Sequence, residues 1–169
     1  VYALRLPQRS PMILATRKGV YRHRQERVVP YETPGAQSRL TGVFYCLHED
    51  GERRLWAGGE PGLVRVDSSG AASTIPRSQI RNAAVVALIE GTQGQIWFGT
   101  SAGEVYRVDP KSGRLGGAEL VWALPEAVTA LHEDYEGNLW VGTAGSGVHR
   151  LKRRQLRWAP FPEPIGETA

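Results

Sequence analysis

The sequence has 169 residues, 41% hydrophobic and 22% charged, with a formal net charge of +4, a globular composition with enough apolar side chain for a packed core. Its 20 Gly, 11 Pro and 5 Trp suit many short strands joined by tight turns better than long helices. Basic residues are scattered without interleaved aromatics, which argues against nucleic-acid binding, and Cys46 as the single cysteine excludes an intrachain disulfide and a cysteine-built metal cluster.

Taken from the N-terminus, the chain opens Val1-Tyr2-Ala3-Leu4, without an initiator Met or a signal peptide, and is expected to be a piece of something larger. The opening element returns as Phe44-Tyr45-Cys46-Leu47, Val85-Val86-Ala87-Leu88 and Val128-Thr129-Ala130-Leu131. Twelve residues after each start stands a large apolar anchor, Ile13, Trp56, Trp97 and Trp140, so starts and anchors share the spacings 43, 41 and 43. Two residues past the anchor comes a small residue (Ala15, Gly58, Gly99, Gly142). Then follow a glycine (Gly19, Gly62, Gly103, Gly147) and, three or four residues on, an arginine (Arg22, Arg65, Arg107, Arg150). A period of about forty residues marks one supersecondary unit per repeat.

In the fourth unit Val128 to Glu133 reads as a strand, Asp134 to Gly137 as a turn and Asn138 to Thr143 as a second strand. Val148 to Leu151 is a third, and Leu156 to Ala159 a weaker fourth. Such a four-stranded antiparallel meander cannot bury both faces alone, so the units must stack as blades. The predicted fold is all-β, a β-propeller with four repeats over about 1–43, 44–84, 85–127 and 128–159, expected to be part of a larger propeller, and an exit linker over 160–169. The first repeat is degenerate, with Ile13 in place of Trp and a turn over Pro7 to Pro11. No segment carries sustained helical periodicity, and no apolar stretch approaches the roughly 20 residues that span a bilayer.

The runs Glu136-Gly137-Asn138-Leu139-Trp140-Val141-Gly142-Thr143, Gly94-Gln95-Ile96-Trp97-Phe98-Gly99-Thr100 and Leu55-Trp56-Ala57-Gly58-Gly59 resemble the two-component regulator propeller repeat. That family builds large propellers, commonly of seven blades, in the extracytoplasmic sensor regions of bacterial histidine kinases, hybrid sensors and some diguanylate cyclases. The resemblance implies a periplasmic sensory role for a small-molecule ligand, often a carbohydrate in that family, or for a protein ligand. Further partners implied are the remaining blades of the same receptor, or self-association. The shared motif is structural and names no ligand residue.

Trp56, Trp97 and Trp140 recur once per unit and are assigned to the core between sheets. The repeated arginines are read as structural ion pairs with Glu49, Glu90 and Glu133. Recognition is expected where residues vary against this frame: after the inner-strand element (Arg5, His48, Ile89, His132) and at the hairpin tips after the anchor (Arg17, Glu60, Ser101). Candidate ligand-binding residues are therefore Arg5, His48, His132, Arg17, Glu60 and Ser101. His48-Glu49-Asp50 and His132-Glu133-Asp134 do not make a metal or acid-base site, because neighbouring strand residues point to opposite faces and Asp50 and Asp134 sit at turns. No converging acid, base and nucleophile can be named, so neither catalysis nor a cofactor is expected. The alternatives are a streptogramin-lyase-like propeller, whose Trp-Phe-Thr-Glu pattern departs from Trp97-Phe98-Gly99-Thr100, and a purely protein-binding scaffold.

Overall fold

The computed structural model describes residues 2–5, 12–33, 38–111, 115 and 117–152. Blade I is a sheet in the order β1 (Ala3–Arg5), β2 (Ile13–Thr16), β3 (Gly19–Arg24) and β4 (Arg27–Pro30), and a short hairpin of β5 (Glu32–Thr33) and β6 (Ser38–Arg39) leads out of it. Blade II comprises β7 (Phe44–Glu49), β8 (Leu55–Gly59), β9 (Gly62–Val66) and β10 (Ala72–Pro76). Blade III comprises β11 (Val85–Glu90), β12 (Ile96–Thr100), β13 (Glu104–Val108) and β14 (Glu119–Ala123). In blade IV the described strands are β15 (Val128–Glu133), β16 (Leu139–Thr143) and β17 (Val148–Leu151). Its expected fourth run over Leu156 to Ala159, the linker over 160–169 and the Pro7 to Pro11 turn lie outside the described residues. The fold is all-β, as the repeat predicts, and the described residues add one 3-10 turn at Arg77–Gln79. No helix among the described residues is long and apolar enough to cross a membrane.

Each sheet is a meander of β-branched and aromatic runs turned back by short hairpins. Gly62 and Gly103 hold φ of +109° and +91° at the hairpin after the anchor strand, a conformation only glycine adopts freely. The innermost strands pack in chain order, β1 on β7, β7 on β11 and β11 on β15. Three apolar clusters fill the three spaces between successive sheets. Ile13, Val20, Phe44 and Leu55 lie between blades I and II, and Trp56, Leu63, Val85 and Phe98 between II and III. Trp97, Val105, Val128 and Val141 lie between III and IV.

Close approach at one backbone position makes this stacking possible. A methyl added at Gly58 would stand 2.5 Å from Cγ1 of Val85, and one at Gly99 would stand 2.4 Å from Cγ1 of Val128. The first side chain of the inner strand in blades III and IV thus seats in a notch left by the preceding blade's glycine. Beside the first notch the thiol of Cys46 is pushed up to about 12 by burial, so it stays protonated and unreactive in the folded chain.

At the turns between inner and anchor strands, acids serve the indoles. Asp50 accepts from the backbone N–H groups of Glu52 and Arg54 through Oδ1 and from Trp56 Nε1 (2.8 Å) and Arg54 Nε through Oδ2. Asp134 repeats this with Glu136, Asn138 and Trp140 Nε1 (2.8 Å). Blade III has Gly91 at that place, and Trp97 Nε1 turns instead to Glu133 Oε2 of blade IV, at 2.8 Å. A Cβ at Gly91 would stand 2.3 Å from that same Oε2. One indole is therefore satisfied across the blade boundary.

The arginine ion pairs expected from sequence are not what forms. Cross-strand register sets Arg22, Arg65, Arg107 and Arg150 directly opposite Ile13, Trp56, Trp97 and Trp140. The guanidinium groups of Arg65, Arg107 and Arg150 lie 5.8, 6.0 and 5.3 Å from the tryptophan centroids, within cation–π range. In blade I, where the anchor is Ile13, Arg22 lies 5.9 Å from the Tyr31 ring instead. Glu90 meets His48, Glu133 meets Trp97, and Arg107 pairs with Glu119 of its own sheet.

Burial of the anchors is graded. Trp56 is fully buried, whereas Trp140 is half-buried because no further sheet covers it among the described residues. Trp56→Ala is expected to cost about 3–5 kcal/mol and Trp140→Ala clearly less, read from chemical denaturation midpoints; equal losses would refute the graded packing.

Acid sensitivity follows from the turn carboxylates. Hydrogen bonds from Asn138 and Trp140 lower the Asp134 carboxyl to about 2. For Asp50, desolvation opposes ionisation, but donors from Trp56 and Arg54 outweigh it and hold the carboxyl below its ordinary value. A folded-state value below the unfolded one, about 3.9 for aspartate, gives stability that is full above that value and lost as pH falls toward about 2. The melting temperature should drop between pH 5 and pH 2.5, and drop less in Asp134→Asn; an equal drop in the variant would refute this assignment.

Candidate functional site

Successive hairpins of a meander open at alternate ends of the sheet, so each blade presents two sets of loops. One end carries the anchor hairpins (β2–β3, β8–β9, β12–β13, β16–β17) and the connectors between blades; the other carries the inner hairpins with their Asp50 and Asp134 turns. The sequence-predicted residues divide between these ends. Arg17, Glu60 and Ser101 stand at anchor hairpins, while His48 and His132 lie near the inner hairpins, and a strand of five residues, roughly 17 Å, separates the groups. Arg5 closes β1, and its side chain lies outside the described residues.

At the anchor-hairpin end the inner strands carry a repeated irregularity. Register shifts between Phe44 and Cys46, Val85 and Ala87, and Val128 and Ala130 leave Tyr45, Val86 and Thr129 as bulged residues. A bulge re-aims its side chain out of the alternation of the strand. Tyr2 holds the matching place before β1, its N–H donating to the Ala15 carbonyl at 2.9 Å.

Tyr2 and Tyr45 meet edge to face at 5.2 Å. Arg17 Nε donates to the Tyr2 hydroxyl at 2.6 Å. The Tyr45 hydroxyl donates to Glu60 Oε1 at 3.0 Å, and Arg77 Nη1 donates to Glu60 Oε2 at 2.9 Å. The result is one line, Arg17–Tyr2–Tyr45–Glu60–Arg77, that crosses blades I and II and reaches the connector to blade III. Desolvation and then the Glu60 carboxylate raise the Tyr45 phenol, and the hydrogen bond with Tyr2 raises Arg17. Both groups therefore keep their protons at neutral pH, Tyr45 as a donor and Arg17 as a cation. Tyr2 is 45% exposed, and Arg17 and Arg77 are exposed. This is an aromatic and polar surface with both signs of charge, suited to a small polar molecule or a peptide.

Ser101 stands apart from that line: its Oγ accepts from the Ala84 N–H at 3.2 Å and its N–H donates to the Ala84 carbonyl, which fastens the connector. At the opposite end His48 Nε2 lies 3.1 Å from Glu90 Oε2, while His132 is exposed. A cleft between blades III and IV there is lined by Gln95, Trp97, Glu133 and Lys152, yet Gln95 and Trp97 both donate to Glu133. Glutamate at this place recurs in blade after blade, the mark of a structural position. The bulge position does vary: tyrosine at Tyr45, and at the matching Tyr2 of blade I, gives way to Val86 and Thr129 in blades III and IV. Sequence reasoning missed Tyr2, Tyr45 and Arg77; the varying second residue of the inner-strand element was the signal for the two tyrosines. Among the described residues no three His, Cys, Asp or Glu side chains are placed to hold a metal ion.

Comparison with known proteins bears on this site through the fold. Residues 124–145 match the two component regulator propeller family, and no curated protein sequence matches the chain. Two solved structures from B. thetaiotaomicron, each described as the extracellular domain of a hybrid two component system, superpose with TM-scores of 0.69 and 0.66 at 16% and 20% identity. They cover 89% and 88% of this chain, which spans 20% and 21% of theirs. A virginiamycin B lyase from Staphylococcus aureus, solved with quinupristin, superposes with a TM-score of 0.63 at 16% identity, over 95% of this chain and 56% of its own. The chain therefore has the β-propeller fold and resembles the two component regulator propeller family, whose pattern its residues 124–145 match.

Proposed function

We propose that the chain is a non-catalytic sensing segment of a bacterial two-component-type receptor, placed on the extracytoplasmic side. It takes a small polar molecule or a protein loop on the Arg17–Tyr2–Tyr45–Glu60–Arg77 line. The observation that carries the reading is the contrast between a frame that repeats in every blade and a bulged position that changes from Tyr2 and Tyr45 to Val86 and Thr129. A repeat scaffold places recognition on such positions. The family match over residues 124–145 supports the receptor context. A lyase reading has the fold in common, but among the described residues His48 is engaged by Glu90. The Ser146 Oγ and His149 Nε2 pair, 3.1 Å apart, sits on an exposed hairpin with the imidazole edge against Trp122.

Binding and folding are separable at this surface. Tyr45→Ala together with Arg17→Ala should leave the melting temperature within a few degrees of wild type. The pair should abolish the thermal shift that a panel of mono- and disaccharides, amino acids and short peptides produces in the unaltered chain. A shift that persists in the double variant, or turnover of any panel compound, would refute the proposal.

A further inference from the structure

The boundary between blades II and III and the one between blades III and IV are built from equivalent residues, yet they close differently at the inner-hairpin end. At the first, Arg54 stands two residues before the anchor Trp56. Its Nε bonds Asp50 at 2.6 Å, and its Nη1 reaches across to donate to the Pro110 carbonyl of blade III at 3.4 Å. Arg65 Nη1 donates to the same oxygen at 3.5 Å. At the second boundary the residue two before the anchor Trp97 is Gln95, which is shorter and donates its amide to Glu133 Oε2 at 2.8 Å. A cleft of about 110 Å³ remains there, lined by Trp97, Arg107, Glu133, Leu139, Leu151 and Lys152 together with polar loop residues. Trp97 is accordingly 8% exposed, against 0% for Trp56.

The one carboxylate lining this cleft is already committed. Glu133 accepts from the Thr92 N–H and hydroxyl through Oε1 and from Gln95 and Trp97 through Oε2, and four donors fill the acceptor sites of one carboxylate. What stays open is apolar or cationic. Leu139, Leu151 and Trp97 supply apolar wall. Arg107 pairs with Glu119 where the two side chains are 48% and 60% exposed, a contact that solvent weakens. Register sets Leu151 opposite Leu139 as it sets Val108 opposite Ile96, so Lys152 holds the place of Asp109 in blade III. Lys152 is exposed, and no ion pair engages it among the described residues.

We propose that this cleft binds a small carboxylic acid with an apolar body and no amino group, its hydrocarbon against Leu139, Leu151 and Trp97 and its carboxylate between Lys152 and Arg107. The size fits: a cavity of roughly 150 Å³ takes a whole benzene ring, and a slightly smaller cleft open on one side admits such a ring with its carboxylate left at the mouth. The charge fits as well. A cation finds no open acceptor on Glu133, and an ammonium beside the carboxylate would meet Lys152 and Arg107, so amines and amino acids are disfavoured. Apolar walls with a few placed polar groups are the usual make-up of a small-molecule site. This site lies at the opposite end of the strands from the Arg17–Tyr2–Tyr45–Glu60–Arg77 line and does not rest on it.

The test titrates benzoate and its neutral isostere benzamide into the intact 169-residue chain by calorimetry at fixed ionic strength. Benzoate should bind at one site per chain, and benzamide at least about fivefold more weakly, the worth of one solvent-exposed ion pair. Lys152→Gln changes an exposed side chain, so it should keep the melting temperature, lower benzoate affinity about fivefold and leave benzamide affinity as it was. Tyr45→Ala together with Arg17→Ala should bind benzoate as the unaltered chain does, which separates this cleft from the line at the other end. No heat from benzoate at millimolar concentration would overturn the proposal. So would equal affinity for benzoate and benzamide, full benzoate affinity in Lys152→Gln, or loss of benzoate binding in the double variant.

Discussion

Blades II, III and IV of this protein approach one another as closely as the hydrogen of one glycine allows. At Gly58 and Gly99 the space a side chain would fill is taken by Val85 and Val128, so the first residue of the inner strand in blades III and IV is pinned against the sheet before it. Every other feature of the stack leans on that seat. It brings the anchor tryptophans Trp56 and Trp97 under cover, because a wider gap would admit water beside the indoles and forfeit dispersion contacts. It also fixes where the inner strand begins, and the residue after the pinned one is the bulge. Tyr45, Val86 and Thr129 are thus held by their neighbours and are themselves free of the ladder, which is how a repeated frame sustains a variable surface.

The far end of the strands follows a different logic. There, acids, indoles and guanidinium groups are matched to one another: Asp50 to Trp56, Asp134 to Trp140, and each tryptophan stacked by the arginine across from it. The indole N–H groups of Trp56, Trp97 and Trp140 each find a carboxylate and each of these rings a cation, so this end stabilises the blades. The proposed recognition surface and these stabilising contacts lie at opposite ends of the strands.

Fold was legible in the sequence because the anchors, the notch glycines and the turn glycines recur at one position per unit, and such periodicity survives without any knowledge of contacts. The partners of Arg65 and Arg107 were misread because the glutamates are repeated at the same period, and matching periods do not establish contact. Hairpin register decides it, and register sets each arginine opposite a tryptophan. Candidate residues Arg17 and Glu60 belong to one line with Tyr2 and Tyr45, whereas His48 and His132 lie at the other end. That division follows from hairpins opening at alternate ends and is invisible to a search for variable positions alone. Tyr45 escaped notice because a bulge breaks the two-residue alternation from which side-chain direction is inferred.

Gly91 leaves blade III without an acid of its own. The indole of Trp97 is satisfied by a carboxylate 36 positions later in the chain, whereas Trp56 and Trp140 find theirs six positions earlier. During synthesis at about 5–20 residues per second, blade II emerges with its acceptor already made, but blade III waits roughly two to seven seconds before the acid of blade IV leaves the ribosome. Over that interval the Trp97 N–H lacks the carboxylate that accepts from it in the folded chain. The third unit thus depends on the fourth for the acceptor of its anchor indole, and this gives a row of similar blades a direction along the chain.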